Sequence, residues 1–463
     1  MKDWVSRIRA DREEWIGWLD QLLRIPSMSA LPQHRPDIEQ AAAWLVGQLS
    51  AAGFQAESQA TRGHPIVYAE YRGSPTSDTT LLVYGHYDVQ PAEPGKDWRT
   101  APFEPTIMGD AIYARGAMDM KGQLVAFLAA LKILQREGPL PLQIKCILEG
   151  EEEIGSPSLD DYLCQHRTQL ACDAVLNLDG LMTTPTTPSL VYGLRGLAYF
   201  DLELVGLEHD LHSGLFGGSV MNPAFLLCKL LSGMLSSDGQ IALPGFYRLV
   251  VPLTTTERQR FAQNSSSHQD NQAESGAFCL GGEAGYTSLE RRCARPSLDI
   301  NGLTAGYGGE GAKTVIPARA GAKISFRLVP NQTPDEVYRL LKAYIEDALP
   351  EGIKVRLTMI SSGLPVMIDP LHWAMQAAAR TLEATFGIPP AFIREGGTIP
   401  AVAMIKHRLK HDSVLLGCGY AGDGMHGPNE HMRLPLMEKN IEIYLRFLSE
   451  VAHHAREGKD VNE

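Results

Sequence analysis

The chain has 463 residues, more than one ordinary hydrophobic core organises, so two domains are expected. Its 44% hydrophobic and 21% charged content is that of a folded globular protein and excludes a disordered or fibrous chain. A formal net charge of -12 argues against non-specific nucleic-acid binding.

The first twenty residues carry Trp4, Ile8, Trp15, Ile16 and Leu19 among charges, as an amphipathic helix does. No uninterrupted apolar stretch resembles a secretory leader, and none reaches the roughly 18 residues that a membrane span needs. The cysteines at 146, 164, 172, 228, 279, 293 and 418 form no C-x-x-C pair, which disfavours a disulfide framework or a thiolate zinc site. A reducing cytoplasm is the expected location.

Further on, residues 80–89 (TLLVYGHYDV) read as a buried strand that delivers polar residues at its carboxyl end. Helical spacing of Leu124, Phe127, Leu128, Leu131 and Leu134 predicts a helix over 121–136. Apolar runs at 143–148 and 174–178 predict two more strands. Strand, helix, strand is the rhythm of an α/β sheet, whose chemistry lies beyond the carboxyl ends of its strands. Near residue 190 the pattern changes. Residues 198–205 and 323–329 alternate apolar with polar, as half-exposed antiparallel strands do. Helices are predicted at about 223–235 and 334–347, and a polar, Gly-rich loop at 262–285. After 363 the first pattern returns, with a helix near 371–386, a strand at 413–418 and a last helix near 436–455. The expected fold is therefore α/β and two-domain. A discontinuous mixed-sheet domain (1–189 and 363–463) carries the chemistry, and 190–362 is an inserted α+β domain.

Five clusters hold the chemistry-bearing residues. In His86-Tyr87-Asp88, residues i and i+2 of a strand face one side, so the carboxylate can orient the imidazole. Two solvated residues at a strand end are the alternative. Asp119, in Arg115–Gly122, precedes the predicted helix, and an N-cap is the commoner use of a lone Asp there. Glu151, Glu152 and Glu153 follow a buried strand. Three adjacent carboxylates are costly there unless a cation offsets them, although such runs are usually solvated. Asp179 ends another apolar run, and His426 sits in a Gly-rich loop, Gly422–Glu430. Each has a bland reading alone. Together they bring His, Asp and Glu to strand ends, an N/O donor set suited to two divalent cations.

In this order and at these separations the clusters resemble the M20 family of metallopeptidases, over nearly the whole chain. The resemblance is closest to its dipeptidase branch of carnosinases and cytosolic non-specific dipeptidases. The stretches Asp210–Gly218, Gly311–Pro317, Phe326–Asn331 and Arg394–Pro400 extend it. It implies that His86 and Asp179 hold one metal, Glu153 and His426 the other, and that Asp119 bridges them. Glu152 would be the general base that deprotonates the attacking water, and Asp88 would orient His86. Glu151 receives no role, and it is the next candidate should Glu152 not be the base. In the inserted domain, His212 would supply an oxyanion donor to the partner subunit of a homodimer. Arg327 would grip the substrate's C-terminal carboxylate, and Thr314 and Thr398 would be polar substrate contacts. Zinc is the first choice of metal, with Mn²⁺ or Co²⁺ equally able to use such ligands.

The expected activity is hydrolysis of dipeptides or short peptides. An N-acyl- or N-carbamoyl-amino-acid amidohydrolase of the same fold is the alternative. A non-catalytic scaffold would have lost a ligand or the base, and every such position is filled. Nucleotide binding finds no support, since neither a G-x-G-x-x-G nor a Walker loop follows the first strand.

Overall fold

The computed structural model describes residues 3–73, 79–92, 95, 97–140, 142–264, 272 and 276–460. Its main elements are, in chain order, α1 (Arg12–Leu23), β1 (Gln55–Gln59), β2 (Ile66–Tyr71), β3 (Thr80–His86), α2 (Lys121–Gln135), β4 (Gln143–Glu149) and β5 (Ala174–Asn177). There follow β6 (Gly196–Val205), α3 (Pro223–Ser232), β7 (Ser297–Ala305), β8 (Arg319–Leu328), α4 (Pro334–Ala348), β9 (Lys354–Gly363), α5 (Trp373–Phe386), β10 (Ser413–Leu415) and α6 (Leu434–Asp460). Contacts divide the chain into two units. The first comprises Met1–Tyr192, Ile368–Ile393 and Pro400–Glu463, and the second Gly193–Met367 with Arg394–Ile399.

In the first unit a six-stranded sheet runs in the order β1-β2-β4-β3-β5-β10. Strands β4, β3, β5 and β10 are mutually parallel, and β1 and β2 add an antiparallel edge. Strands β3 and β5 are buried almost end to end, because helices cover both faces of such a sheet and leave no solvated side for polar residues. Helix α2 is buried nearly all round, against α6 and α1, which is why its sequence is apolar beyond one stripe. It begins at Lys121 with Met120 as N-cap and no capping side chain. Asp119 is thus not the helix cap that a lone Asp in this place would ordinarily be. The N-terminal amphipathic stretch is two helices, Trp4–Ala10 and α1, broken at Asp11, with Trp4, Ile8, Trp15 and Leu19 buried. No helix among the described residues is long and apolar enough to cross a membrane, and all seven cysteines are free thiols.

The second unit holds a four-stranded antiparallel sheet in the order β7-β8-β6-β9. Strand β6 alternates strictly between buried and more exposed positions. Ala198, Phe200, Leu202 and Leu204 face a core completed by Ile324 and Phe326 of β8, by α3 and by α4. Asn222 and Thr333 cap those helices by accepting the backbone N–H groups of Ala224 and Glu336, each with proline in the first turn. Arg394–Ile399 groups with this unit, whereas the sequence reading gave all of 363–463 to the first domain. A helix, Thr255–Asn264, occupies the start of the segment read as the loop 262–285, and residues 265–271 and 273–275 of that loop lie outside the described residues.

Phe200 is fully buried, with its ring centroid 5.9 Å from that of Phe326. Truncation to alanine removes most of an aromatic side chain and leaves a cavity. Phe200→Ala is expected to destabilise the second unit by about 3–5 kcal/mol, read as a lowered urea midpoint. An unchanged midpoint would place that ring outside the core.

Candidate metal centre

Parallel pairing aligns the ends of β3 and β4, since His86 lies opposite Glu149, and sets β5 alongside, with Tyr84 opposite Asn177. The polar residues that follow each strand therefore emerge at one edge of the sheet. His86 is buried at the last position of β3. Its Nδ1 lies 3.2 Å from the Asp88 backbone oxygen and 3.4 Å from Asp88 Oδ1. The strand ends at His86, so Asp88 reaches the ring from the following turn rather than from a shared strand face. The Asp88 carboxylate also accepts the backbone N–H groups of Glu152 (3.2 Å) and Glu153 (3.1 Å). One buried side chain thereby ties the imidazole to the turn that carries both glutamates.

Asp119 is the common member of two donor groups. His86, Asp119 and Asp179 form one, and Asp119, Glu153 and His426 the other, with the candidate donor atoms of each group within 4.8 Å of one another. His86 Nε2 is 3.2 Å from Asp119 Oδ1. On the other oxygen of Asp119, His426 Nε2 is 3.0 Å away, and it lies 3.3 Å from Glu153 Oε2. Gln90 Nε2 donates to Glu153 Oε2 at 2.8 Å, and Asn177 Oδ1 accepts the backbone N–H of Asp179 at 2.8 Å.

The electrostatics test whether a cation suits these groups. Were the ring of His86 neutral, with Nδ1 donating to Asp88, it would turn a lone pair toward an Asp119 oxygen. Two acceptors so close repel unless a proton or a metal lies between them. Burial, reinforced by the Asp119 charge, pushes Asp179 up to about 7. Glu152 is likewise driven well above the usual carboxylate range by burial, which the charge on His86 only partly opposes. His426 rises to about 10 through its hydrogen bonds to Asp119 and Glu153. Protons are thus drawn into the site to offset crowded negative charge. Divalent cations do the same work more strongly, and mixed imidazole and carboxylate donors suit zinc, manganese or cobalt. The residues fit such ions.

Glu151 differs from its two neighbours. Its carboxylate accepts the backbone N–H groups of His64 (2.8 Å) and Ser158 (3.1 Å). A Cβ at Gly63 would lie 1.7 Å from Glu151 Oε1, so a larger residue there would displace the carboxylate from its present place. With both oxygens engaged, Glu151 is a tie between loops. Nor did the sequence reading give a role to Lys121, whose buried ammonium donates to the carbonyl oxygens of Leu22 (3.0 Å) and Ile25 (2.7 Å) and fastens the end of α1 to the start of α2. Glu430, which closes the fifth sequence cluster, lies buried behind Asp119.

The remaining expected site residues belong to the second unit. His212 is exposed and caps the short helix Ser213–Phe216, its Nδ1 accepting the N–H of Gly214 at 3.0 Å. That bond leaves the neutral ring's proton on Nε2, a free donor. Thr314 is exposed next to Val315, which pairs with His212, and its carbonyl accepts the N–H of Ser213. Arg327 Nη1 donates to Thr398 Oγ1 at 3.0 Å, and that hydroxyl donates to the Arg195 carbonyl at 2.6 Å. Thr398 is therefore engaged in aligning Arg327.

A mostly parallel sheet that gathers imidazoles and carboxylates at its strand ends is the architecture of a metal-dependent hydrolase. The sequence model of peptidase family M20/M25/M40 matches residues 82–450, and the chain belongs to that family. It is 32% identical over 458 residues to the Cys-Gly metallodipeptidase Dug1 of Schizosaccharomyces pombe, covering 95% of this chain and 96% of the relative. A structure titled as an M20 family metallo-carboxypeptidase, Sso-CP2 of Sulfolobus solfataricus, superposes with a TM-score of 0.85 at 33% identity, covering 95% of this chain and 99% of that one. Human carnosine dipeptidase 1 superposes with a TM-score of 0.82 at 29% identity, covering 97% and 98%. The two-domain α/β fold and the peptidase class expected from the sequence hold.

Because Asp119 is common to both donor groups, its loss should be felt twice. Asp119→Asn is expected to bind neither ion tightly, whereas Asp179→Asn should lose one and keep the other. Metal content per chain after gel filtration reads the difference. Equal stoichiometry in the two variants would contradict a shared ligand.

Proposed function

We propose that the chain is a dinuclear metal-dependent peptidase that hydrolyses dipeptides or short peptides, with Glu152 as general base. The observation that supports this most is the pair of donor groups sharing Asp119, with Glu152 half-buried beside them. His86 and Asp179 would hold one ion and Glu153 and His426 the other, with Asp119 common to both groups. Bound divalent ions, zinc first and Mn²⁺ or Co²⁺ as alternatives, would lower the pKa of a water and polarise the scissile carbonyl. Glu152 accepts the water's proton and passes it to the leaving amine. Its burial favours the protonated form, so its carboxylate is a stronger base than one in solvent. Asp88 keeps the imidazole of His86 and the backbone of Glu152 in register.

From the second unit, Arg327, aligned by Thr398, takes the substrate's C-terminal carboxylate through its planar fork. Thr314 adds a polar contact, and the Nε2 proton of His212 serves the tetrahedral oxyanion. We assign that histidine to the site of the partner subunit in a homodimer formed through the second unit. The exposed side chains of Leu215, Phe216, Met221 and Phe225 near His212, and the largely exposed edge strand β7, support such an interface. Seven free thiols accord with a cytoplasmic location.

Relatives named for Cys-Gly and carnosine hydrolysis favour a peptide over an N-acyl or N-carbamoyl amino acid, the second reading. A panel of dipeptides assayed beside N-acetyl amino acids separates the two. Dipeptide turnover is expected, and rapid deacetylation without it would sink the peptidase reading. Glu152→Gln is expected to retain both ions and lose about 10²- to 10⁴-fold in kcat. Near-normal turnover in that variant would remove Glu152 from the proton path.

A further inference from the structure

Glu430 is fully buried, and both of its carboxylate oxygens are bonded twice. Oε1 accepts the backbone N–H groups of Met118 (2.9 Å) and Asp119 (3.0 Å). Oε2 accepts the N–H of Gly116 (2.9 Å) and Nη1 of Arg115 (2.7 Å). The second arm of the Arg115 fork, Nη2, donates to the carbonyl of His426 at 3.1 Å. Arg115 is itself nearly inaccessible, and the Trp98 ring lies 5.5 Å from its guanidinium carbon. Gly116 has φ +84°, and a Cβ there would come within 2.6 Å of Val89. His426 also lies in the left-handed region, at φ 57°. Two irregular loops, each carrying a donor of the metal centre, are thus joined through one carboxylate and one guanidinium.

The geometry points to the Arg115–Glu430 pair as a positioning device that sets Asp119 against His426, and so sets the spacing of the two donor groups. This rests on the two-metal reading above. Glu430 acts on Asp119 directly, through its backbone N–H. Arg115 acts on His426 through its carbonyl. Neither side chain is a ligand. A carboxylate is required, because four donors converge on two oxygens. An amide presents N–H₂ to two of those donors in either orientation. A fork is required because one guanidinium spans Glu430 and the His426 carbonyl, which a single ammonium does not do in the same geometry.

The two halves of the pair predict different losses. Glu430→Gln disturbs Asp119, which both groups share, so affinity for both ions should fall by about 10- to 100-fold, the cost of a removed outer partner of metal ligands. In Arg115→Lys a single ammonium can stay on Glu430 but then releases the His426 carbonyl, while the three backbone N–H groups still hold Glu430, so the ion held by Glu153 and His426 should weaken more than the other. The experiment is Co²⁺ titration of metal-free wild type and both variants, followed by the visible d–d spectrum. Amide hydrogen exchange at Gly116, Met118 and Asp119 is measured on the metal-free proteins. Faster exchange at those amides in Glu430→Gln, with far-UV dichroism unchanged, is expected. Wild type binding two ions beside variants with unaltered affinities, spectra and exchange would overturn the positioning role alone. Wild type that binds no cobalt would overturn the metal reading with it. Should Glu430→Gln not fold, Arg115→Lys decides: selective weakening of one ion upholds the role, and unchanged binding of both refutes it.

Discussion

Crowded negative charge in a buried place governs this molecule. Asp88, Asp119, Glu152, Glu153 and Asp179 meet two imidazoles at the edge of a sheet, behind which Glu430 adds another carboxylate. Burial, with repulsion among the carboxylates added to it, raises Asp179 and Glu152 above the ordinary carboxylate range, while the two imidazoles hold Asp119 below it. Much of the surrounding structure opposes that tendency by supplying N–H groups. The backbones of Glu152 and Glu153 serve Asp88, those of Gly116, Met118 and Asp119 serve Glu430, and those of His64 and Ser158 serve Glu151. The carboxylates satisfied in this way hold loops. Those not held by backbone, on Asp119, Glu152, Glu153 and Asp179, are left to face one another and the two imidazoles.

That sorting explains what a linear reading could and could not find. Continuous apolar runs at β3 and β5 announced a sheet covered on both faces, and alternation along β6 announced a half-exposed one, because burial acts directly on residue type. The polar residue after each run was legible for the same reason. The run Glu151-Glu152-Glu153 was not divisible on chemistry, since three identical side chains differ only in the direction the turn gives them. Only the structure distinguishes Glu151, whose oxygens are both taken by backbone N–H groups. Glu430 and Arg115 carried no side-chain pattern to detect, because their partners, each other and peptide groups of the opposite loop, lie more than 300 residues away in sequence. The i, i+2 argument joined the right pair, His86 and Asp88, by the wrong geometry: the strand stops at the histidine, and Asp88 returns from the turn beyond it.

The second unit follows simpler rules. Its core is one face of an antiparallel sheet under two capped helices, and its polar reach lies in loops and strand ends. There the family resemblance, rather than residue type, pointed to Arg327 and Thr398, whose hydrogen bond gives a hydroxyl at 398 a use: it meets the guanidinium and is itself fixed by the Arg195 carbonyl. The short return of Arg394–Ile399 to this unit brings Thr398 to Arg327. A boundary drawn from hydrophobic pattern alone does not register six residues that cross over.

The long reach of Glu430 has a consequence for how the chain matures. During synthesis, residues 86 to 179 leave the ribosome well before residues 426 to 430 exist, so the loop bearing Asp119 has no acceptor for its amides. The parallel strands can pair at that stage, but the centre cannot close. Completion waits for the C-terminal segment to dock, a contact of very long sequence separation and correspondingly slow to form. Closure of the two donor groups is therefore a late event, and a chain truncated before residue 426 would lack both His426 and the Glu430 acceptor that holds the Asp119 loop.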